Sequence, residues 1–383
     1  MTVDTIEAPS VDWGSSAQIG ILDTPCYVFD PKLVLAQYSA LKSALGTRLT
    51  VSLKANPNLD LFVRCSHAFV DGVELASIGE LNTVVGRITH PKIVNTPAMS
   101  PNLMAAAIAS RATLVFDSLQ QVEMFSSLET RTPKLPVILR LSAAELTENP
   151  GGIGPGDHFG MDRCDALEAI RRLIRVGLRV RGLHVFAGSN TFATWSPLIV
   201  ESMTRFLPSV EAALGSPLEL VNLGGGFPDD WRSLTKQFAQ YRYDLEPLTR
   251  RTQVYHEAGR AIFGPAGCFV TKILALKSVN GRPVAVCDGG LAQCFLLAQT
   301  ESVIKRRIRP HVFRVNESTP PPLSKRLQVV GSTCSRADII GELDPGTVVA
   351  PDDRLIFEGC GAYATYSPLS FLSLAPPNHY LIS

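Results

Sequence analysis

Lys54 is the residue of this 383-residue chain whose position says most about its chemistry. It follows a β-branched and apolar run, residues 49–53, so its amine lies at the carboxyl end of a predicted strand. Barrels and open α/β folds build their active sites at this end of the sheet. A pocket there desolvates an amine and favours the neutral form, which attacks carbonyl groups. The alternative interpretation is a solvated surface charge.

Three consecutive glycines form a second candidate site. Gly224, Gly225 and Gly226 follow the apolar run 218–223. Without side chains, the backbone N–H groups of such a loop can approach and bind a phosphate. A tight turn after the strand is the simpler alternative, but it needs fewer glycines.

The run His256-Glu-Ala-Gly-Arg-Ala261 supplies a carboxylate and a guanidinium three residues apart. One interpretation is a salt bridge between Glu257 and Arg260. The other is that Glu257 contacts a cationic ring nitrogen while Arg260 donates charge-assisted hydrogen bonds to the phosphate held by the glycines.

The alternating run Leu183-His-Val-Phe-Ala-Gly-Ser-Asn190 predicts a strand with His184 and Phe186 on one face. Either ring can present a flat surface to a cofactor at a barrel mouth, with the Ser189 hydroxyl nearby. The alternative is that both rings belong to the core. Cys334 and Tyr363 lie in two further glycine-bounded clusters, residues 331–338 and 358–364, which are not diagnostic alone.

Strand and helix patterns alternate from about residue 26 to 265, as expected for parallel strands joined by helices. Eight strands over about 240 residues favour a (β/α)8 TIM-like barrel. The predicted strands are 50–53, 73–75, 92–94, 113–116, 136–141, 183–186, 218–223 and 253–256. Later β-rich runs separated by Gly and Pro turns predict an antiparallel β domain. The predicted domains are 26–265 for the barrel, and 1–25 with 266–383 for the β-rich domain.

Composition excludes several classes of function. With 45% hydrophobic residues, 19% charged residues and a net charge of +1, the chain is typical of a globular protein with a small-molecule substrate. A neutral chain favours neither nucleic acid nor an anionic membrane as a partner. Its eight cysteines lack the close spacing of zinc ligands, so no metal is predicted. The absence of a long apolar run and of a signal-peptide pattern in residues 1–8 predicts a cytosolic location.

The order of these motifs resembles the fold type III pyridoxal-phosphate decarboxylases, which include diaminopimelate, ornithine and arginine decarboxylases. The resemblance extends over nearly the whole chain. The matching segments are Thr24–Asp30, Lys54-Ala-Asn56, residues 73–80, Arg140, His158-Phe-Gly160, Gly188-Ser189, residues 224–227, residues 257–260, Asp288-Gly-Gly290, Cys334 with Asp338, and Gly361-Ala-Tyr363.

The resemblance implies pyridoxal 5′-phosphate as the cofactor, bound to Lys54 as a Schiff base. The glycines, Arg260 and Tyr363 would hold its phosphate, and Glu257 would pair with its ring nitrogen. Other cofactor-binding positions implied by the family motifs are Glu74, Arg140, His184, Phe186, Ser189 and Gly259. Cys334 would reach the site of a neighbouring subunit as a proton donor, which implies a homodimer with shared active sites.

Three departures from the family pattern concern the substrate and the cofactor ring. The family commonly has His-x-Gly-Ser where this chain has Phe186-Ala-Gly-Ser189, so either Phe186 or His184 packs on the ring. His158 replaces a lysine and, with Ser335 and Arg336, is expected to bind the substrate. Ser335 and Arg336 replace an acidic residue that often binds a distal substrate amine, and Arg336 is expected to favour a carboxylate instead.

With these departures the chain resembles relatives in siderophore or antibiotic pathways, and that resemblance implies a substrate amino acid already attached to citrate, a nucleotide or a carrier protein. The alternatives are decarboxylation of free diaminopimelate, ornithine or lysine, an amino-acid racemase, and a non-enzymatic cofactor carrier. Glu257 favours decarboxylation over racemisation, since a carboxylate keeps the ring nitrogen protonated and the racemases on this barrel place an arginine there.

Overall fold

The computed structural model describes residue 13 and residues 17–128, 135–146, 158–298, 308–315, 320–364 and 371–382. The chain divides into two compact units. The first unit is built by Gln37–Ala261, and the second by the described parts of Pro9–Ala36 and Ile262–Ser383.

Sixteen strands are present in the described residues. In chain order they are β1 Cys26–Phe29, β2 Arg48–Ser52, β3 Val73–Leu75, β4 Lys92–Asn95, β5 Thr113–Phe116, β6 Val137–Leu141, β7 Val180–Val185, β8 Leu220–Asn222, β9 Gln253–Ala258, β10 Gly267–Val279, β11 Arg282–Cys287, β12 His311–Phe313, β13 Leu327–Val330, β14 Ile339–Leu343, β15 Arg354–Phe357 and β16 Asn378–Leu381.

The described residues also form eleven α-helices. They are α1 Pro31–Leu45, α2 Leu59–Cys65, α3 Ile78–Val84, α4 Pro101–Ala109, α5 Leu119–Leu128, α6 Ala143–Leu146, α7 Arg163–Arg175, α8 Phe192–Leu214, α9 Thr235–Asp244, α10 Glu246–Thr249 and α11 Arg260–Phe263.

Strands β2 to β9 close into a parallel barrel in the order of the chain. All eight were predicted from the sequence, so the predicted (β/α)8 fold class is confirmed. Side chains on both faces of these strands are buried, as in β6, where all five residues are buried. The outer helices bury one stripe each: α7 directs Ala166, Ala169, Ile170 and Leu173 inward.

Side-chain caps fix where several barrel helices begin. Ser77 accepts a hydrogen bond from the Glu80 N–H at the start of α3. Asp162 does the same from Asp165 at the start of α7. Each cap satisfies one N–H that the first helical turn leaves without a partner. The strand ends therefore lead into helices that begin at defined residues, which fixes the loops at the barrel mouth.

The register between strands decides which side chains meet inside the barrel. Ser52 of β2 pairs with Glu74 of β3. Arg140 of β6 is opposite His184 of β7, which is opposite Asn222 of β8. Polar side chains near the carboxyl ends of successive strands therefore lie at one level of the barrel.

The second unit contains a mixed sheet with strand order β12-β15-β10-β11-β13-β14, while β1 pairs with β10 and β16. Most pairs are antiparallel, as predicted for this domain, but β11–β13 and β1–β16 are parallel. The connection from β11 to β13 is a long one that returns the chain to the same end of the sheet, which permits a parallel pair.

Strand β1 lies within the second unit, although the predicted barrel domain began at residue 26. The domain bounds 26–265, and 1–25 with 266–383, stay a prediction. Within the parts of the chain that the structure describes, no helix combines the length and apolar character needed to cross a membrane. Residues 1–8, on which the signal-peptide prediction depends, lie outside the described residues.

Candidate active site

Eight buried polar side chains line the carboxyl ends of the barrel strands, one from each strand or from the residue after it. We call this set the polar ring. Its members, in strand order, are Ser52, Glu74, Asn95, Asp117, Arg140, His184, Asn222 and Glu257, and each is at most 8% exposed. Because active sites of such barrels occupy this end, the polar ring marks the candidate site.

Lys54 lies at the edge of the ring, in the single 3-10 turn Leu53–Ala55 that follows β2. Its Nζ is 3.1 Å from Oε1 and 3.3 Å from Oε2 of Glu74. The lysine side chain is 44% exposed, whereas that of Glu74 is 1% exposed. The carboxylate thus holds an amine that still reaches the open end of the barrel.

Glu74 also accepts hydrogen bonds from two ring members that sequence reasoning missed. Ser52 donates its hydroxyl to Oε2, and Asn95 Nδ2 donates to Oε1 over 3.1 Å. A carboxylate that accepts from several donors keeps a fixed orientation. The position of the Lys54 amine is therefore set by a carboxylate that is itself held in place.

Glu257, at the end of β9, is another buried carboxylate of the polar ring. Its Oε1 lies 3.1 Å from His184 Nε2 and accepts a hydrogen bond from Asn222 Nδ2 over 2.8 Å. Burial alone raises the pKa of Glu257, but interactions with His184, and with the Lys54 and Arg140 charges, outweigh burial and hold the pKa below its usual range. The carboxylate is thus ionised although it is buried.

Arg140 forms a buried ion pair with Asp117, with 3.2 Å between Nη1 and Oδ2. Asp117 also accepts the Gly160 N–H over 3.1 Å, and the Arg140 guanidinium lies 4.3 Å from the centre of the Phe159 ring. The predicted cofactor residue Arg140 is therefore already held by neighbours within the barrel. His158, predicted to bind substrate, is exposed beside Phe159, with 4.1 Å between ring centres.

The three glycines form a loop without side chains directly after β8. Gly224 and Gly226 have φ angles of +66° and +87°, which other residues adopt at a cost. A Cβ on Gly225 would collide with the Glu257 carbonyl oxygen, and one on Gly226 would lie 2.7 Å from the Gly188 carbonyl oxygen. Only glycine fits this loop, in which Gly225 and Gly226 are half-buried.

Hydrogen bonds tie the glycine loop to its neighbours. Gly224 N–H donates to Asn222 Oδ1 over 2.9 Å, and the Glu257 N–H donates to the Gly224 carbonyl over 2.9 Å. On the other side, the Phe192 N–H donates to the Gly226 carbonyl over 3.2 Å. The loop is thus fixed between the β7 and β9 loops, which brings the predicted Gly188-Ser189 segment beside it. Ser189 itself is exposed.

The structure distinguishes the two candidate rings, His184 in β7 and Phe186 directly after it. His184 is fully buried, with Nε2 near Glu257 and Asn95. Phe186 is half-buried and lies beside Gly224, since a Cβ on that glycine would be 3.4 Å from Phe186 Cδ2. Phe186 is therefore the ring with an accessible face. At the start of α11, Gly259 is buried and Arg260 is half-buried.

Four of the predicted site residues belong to the second unit. They are Cys334, Ser335, Arg336 and Tyr363. Cys334 and Arg336 are exposed, and Ser335 is half-buried. Asp338 fixes their loop from inside: its Oδ1 accepts the Leu291 N–H over 2.7 Å, and its Oδ2 accepts both the N–H and the hydroxyl of Thr333. Tyr363 is half-buried with a φ of +57°.

Sequence reasoning missed Ser52, Asn95, Asp117 and Asn222. One signal was available: each is a polar residue near the carboxyl end of a predicted strand or directly after it, where such barrels place their active sites. Within the described residues, no group of three or more His, Cys, Asp or Glu side chains is placed to hold a metal ion.

Comparison with known families matches residues 32–264 to the pyridoxal-dependent decarboxylases, over their pyridoxal binding domain. The match covers the barrel that carries the polar ring and the glycine loop.

Three curated relatives are similar over most of their length. A decarboxylase of L-glutamyl-(BtrI acyl-carrier protein) from Niallia circulans is 25% identical, covering 93% of this chain and 88% of the relative. Diaminopimelate decarboxylase of Deinococcus radiodurans is 25% identical, with 94% and 90% covered. A 2-((L-alanin-3-ylcarbamoyl)methyl)-2-hydroxybutanedioate decarboxylase from Staphylococcus aureus is 23% identical, with 85% of each chain covered.

Among solved structures, lysine/ornithine decarboxylase from Vibrio vulnificus, complexed with putrescine, has the same fold. Its TM-score is 0.79 at 21% identity, and 96% of each chain is covered.

Proposed function

Because this chain belongs to the pyridoxal-dependent decarboxylase family, we propose that it acts on an amino acid attached to a larger, carboxylate-bearing group. The family establishes an enzyme that uses pyridoxal 5′-phosphate and releases CO2 from an amino acid or its conjugate. The carrier alternative considered from the sequence is therefore set aside. The remaining question is which amino acid is taken, and in what form.

One observation carries the proposal. In the loop 331–338, Asp338 is the only carboxylate, and both of its oxygens point inward to Leu291 and Thr333. The loop therefore presents Ser335 and the exposed Arg336 cation, and it has no anion left for a distal substrate ammonium. A guanidinium pairs with carboxylates, often through two hydrogen bonds, and repels an ammonium.

Two relatives are consistent with a conjugated substrate, since their names state a glutamyl carrier protein and a hydroxybutanedioate conjugate. The relative named for diaminopimelate keeps decarboxylation of a free amino acid as the second candidate. A role in siderophore or related secondary-metabolite biosynthesis follows from the first candidate. The cytosolic location stays a prediction.

The residues of the barrel fit pyridoxal phosphate. The glycine loop is a backbone turn without side chains after a barrel strand, where N–H groups can bind a phosphate, and the buried, ionised Glu257 is joined to it by the hydrogen bond from its N–H to the Gly224 carbonyl. We propose that the glycines, Ser189, Arg260, Gly259 and Tyr363 hold the phosphate, that Glu257 faces the ring nitrogen, and that Phe186 packs on the ring. When bound, the cofactor accepts the electron pair left by departing CO2.

The chain's own residues then have separate tasks. Lys54 holds the cofactor covalently, and Glu74 orients that amine over 3.1 Å. An ionised Glu257 holds the proton of the ring nitrogen in place, which favours decarboxylation over racemisation. Arg140, paired with Asp117, adds positive charge beside the carboxylates of the ring.

Cys334 is our candidate for the acid that protonates the substrate carbon after CO2 leaves. It is exposed on a loop that Asp338 fixes, and a thiol is a suitable acid while it stays protonated. By resemblance to the family, we propose that this loop serves the active site of a second copy, so that the working unit is a homodimer with shared sites.

The test is CO2 release from a matched panel of substrates. Free diaminopimelate, ornithine, lysine and glutamate are compared with a glutamyl carrier protein and with the hydroxybutanedioate conjugate. We expect kcat/KM for a conjugate to exceed that for every free amino acid by about tenfold or more, the effect of one charge-assisted contact. Faster turnover of a free diamino acid would overturn the proposal and leave the family assignment intact.

A further inference from the structure

His184 takes no part in the function proposed above, although it is the most deeply buried member of the polar ring. It is 0% exposed, and its Nε2 lies 3.1 Å from Glu257 Oε1 and 3.3 Å from Asn95 Nδ2. Its Nδ1 has no hydrogen-bond partner among the described residues. Among the described residues, the His184 imidazole therefore makes its polar contacts through Nε2.

The neighbours of Nε2 determine where its proton lies. Glu257 Oε1 is an acceptor only, because the carboxylate is ionised. A bare nitrogen lone pair at 3.1 Å from that oxygen would be repelled, so Nε2 carries a hydrogen and donates it to Glu257. Asn95 Nδ2 is a second donor, and it has its own acceptor in Glu74 Oε1 at 3.1 Å. His184 is thus oriented as a donor to Glu257.

The hydrogen bond from His184 matters because few other groups stabilise the ionised form of the Glu257 carboxylate. Asn222 Nδ2 is the other donor to Oε1, at 2.8 Å. The charged groups that act on Glu257 from the neighbouring elements are Lys54 after β2 and Arg140 on β6, and each is already paired, with Glu74 and Asp117 respectively. Of the two groups in direct contact with Glu257, His184 and Asn222, His184 contributes most to holding the pKa of the carboxyl low.

We infer that His184 is a positioning residue, whose Nε2–H fixes the ionised Glu257 carboxylate in the orientation from which it meets the cofactor's ring nitrogen. The inference rests on the proposed contact between Glu257 and that nitrogen, and it is independent of the substrate. The inference also explains why we assign the cofactor contact to the aromatic ring of Phe186. His184, two residues earlier, already donates its hydrogen bond to Glu257.

The experiment measures the dissociation constant of pyridoxal phosphate by equilibrium dialysis between pH 6 and 9. His184→Leu removes the donor, and His184→Gln keeps an N–H near the position of Nε2. We expect H184L to weaken cofactor binding about tenfold and H184Q to stay within about threefold of wild type. Without the donor, burial raises the pKa of Glu257, so the loss of affinity on acidification begins at higher pH in H184L.

A matched control is His256→Leu. His256 is equally buried, on β9, but its nitrogens face Thr47 and Tyr241, each at 2.8 Å. We expect H256L to lower the thermal unfolding midpoint of the apoprotein and to leave cofactor affinity within about twofold. If H256L weakens cofactor binding as much as H184L does, His184 only supports the fold and the inference is wrong. The same conclusion follows if H184L and H184Q weaken cofactor binding equally.

A double-mutant cycle with Glu257→Gln separates this inference from the premise beneath it. If His184 acts through Glu257, H184L has little further effect on cofactor affinity in the E257Q background. Equal effects of H184L in both backgrounds would overturn the inference. If E257Q itself leaves cofactor affinity and decarboxylation unchanged, the proposed contact of Glu257 with the ring nitrogen fails instead.

Discussion

The Lys54 amine and the Glu74 carboxylate are held 3.1 Å apart at the open end of the barrel, and only the lysine is exposed. The carboxylate is fixed from below by Ser52 and Asn95. The amine is therefore presented at a constant position, whereas most surface ion pairs are mobile and contribute little. This geometry suits an amine that must bind and release a carbonyl compound repeatedly.

The first prediction concerns the covalent bond to the cofactor. In wild type, borohydride reduction should fix pyridoxal phosphate to the protein at Lys54, as seen by mass spectrometry after digestion. Lys54→Ala should lose this label, and its decarboxylation should fall roughly a thousandfold or more, because the nucleophile is removed. Lys42→Ala is the matched control, since Lys42 also pairs with a carboxylate, Asp71, in the barrel unit. Label in K54A would contradict the assignment.

The glycine loop gives a second prediction. Gly225→Ala places a Cβ against the Glu257 carbonyl oxygen, so the loop must move. Overpacking of this kind costs about 1–3 kcal/mol, and we expect cofactor affinity to fall by about tenfold. Gly79→Ala in α3 is the control, because a Cβ there meets only Ser77 Oγ at 3.7 Å. The comparison is made by cofactor titration; unchanged affinity in G225A would rule out the loop as a tight phosphate cradle.

Shared active sites predict complementation between two inactive variants. Subunits carrying Lys54→Ala and subunits carrying Cys334→Ala are refolded together in equal amounts. If Cys334 serves the partner's site, half of the dimers are mixed, and each mixed dimer has one intact site, so activity should return to about a quarter of wild type. Sites built within one chain would give no recovery above the sum of the separate variants. Light scattering of the mixture checks that dimers form.

Arg336 gives a prediction about specificity. Arg336→Glu restores an anion to the loop after Cys334, so it should lower kcat/KM for a carboxylate-bearing conjugate by about tenfold and raise it for free diamino acids. Arg336→Gln, which removes the charge without reversing it, should give the first effect and not the second. Identical behaviour of both variants and wild type on all substrates would mean that Arg336 is a solvated surface charge.

The last prediction concerns the buried His256 and the dependence of folding stability on pH. Burial lowers the pKa of His256 to about 3, so the ring stays neutral in the folded protein while it binds a proton near pH 6.5 when unfolded. The unfolded state therefore takes up more protons, and the folded state loses stability as the pH falls from about 6.5 towards 3, by up to about 1.4 kcal/mol per pH unit.

Denaturant unfolding of the apoprotein at a series of pH values measures this dependence. In His256→Gln the free energy of unfolding should change less steeply with pH between pH 6.5 and 4, by the amount that corresponds to about one bound proton. His67→Gln is the control, because His67 is exposed and its Nδ1 donates to the Arg64 carbonyl in the preceding helix. A slope in H256Q equal to wild type would show that His256 is not the titrating group.

Much of this architecture can be predicted from the sequence because barrel strands have a strong local signal. β6 is apolar except for Arg140, and β7 is bounded by Gly177 and Gly188, so both strands are visible in isolation. Lys54, Glu257 and the glycines lie at or directly after the ends of such strands, so the strand pattern places them at one end of the barrel. The family resemblance then implies a role for each.

Partners across the barrel are not visible in the same way. Nothing in the local sequence pairs Asn95 with Glu74 or Asp117 with Arg140, because those contacts depend on the register between strands and on side-chain reach. The parallel pairing of β11 with β13 was missed for a related reason. Periodicity shows that a strand exists, but it does not show which neighbour it joins.

The polar ring has a consequence for folding as well as for chemistry. Its members are flanked in most strands by apolar residues, such as Val73 and Leu75 around Glu74, or Val221 and Leu223 around Asn222. A slip of one residue in any strand would turn that polar side chain outward into the apolar helix layer and put a hydrocarbon in its place. The polar residue in each strand thus disfavours a shifted register, and the barrel that closes is the one in which the members of the polar ring face each other.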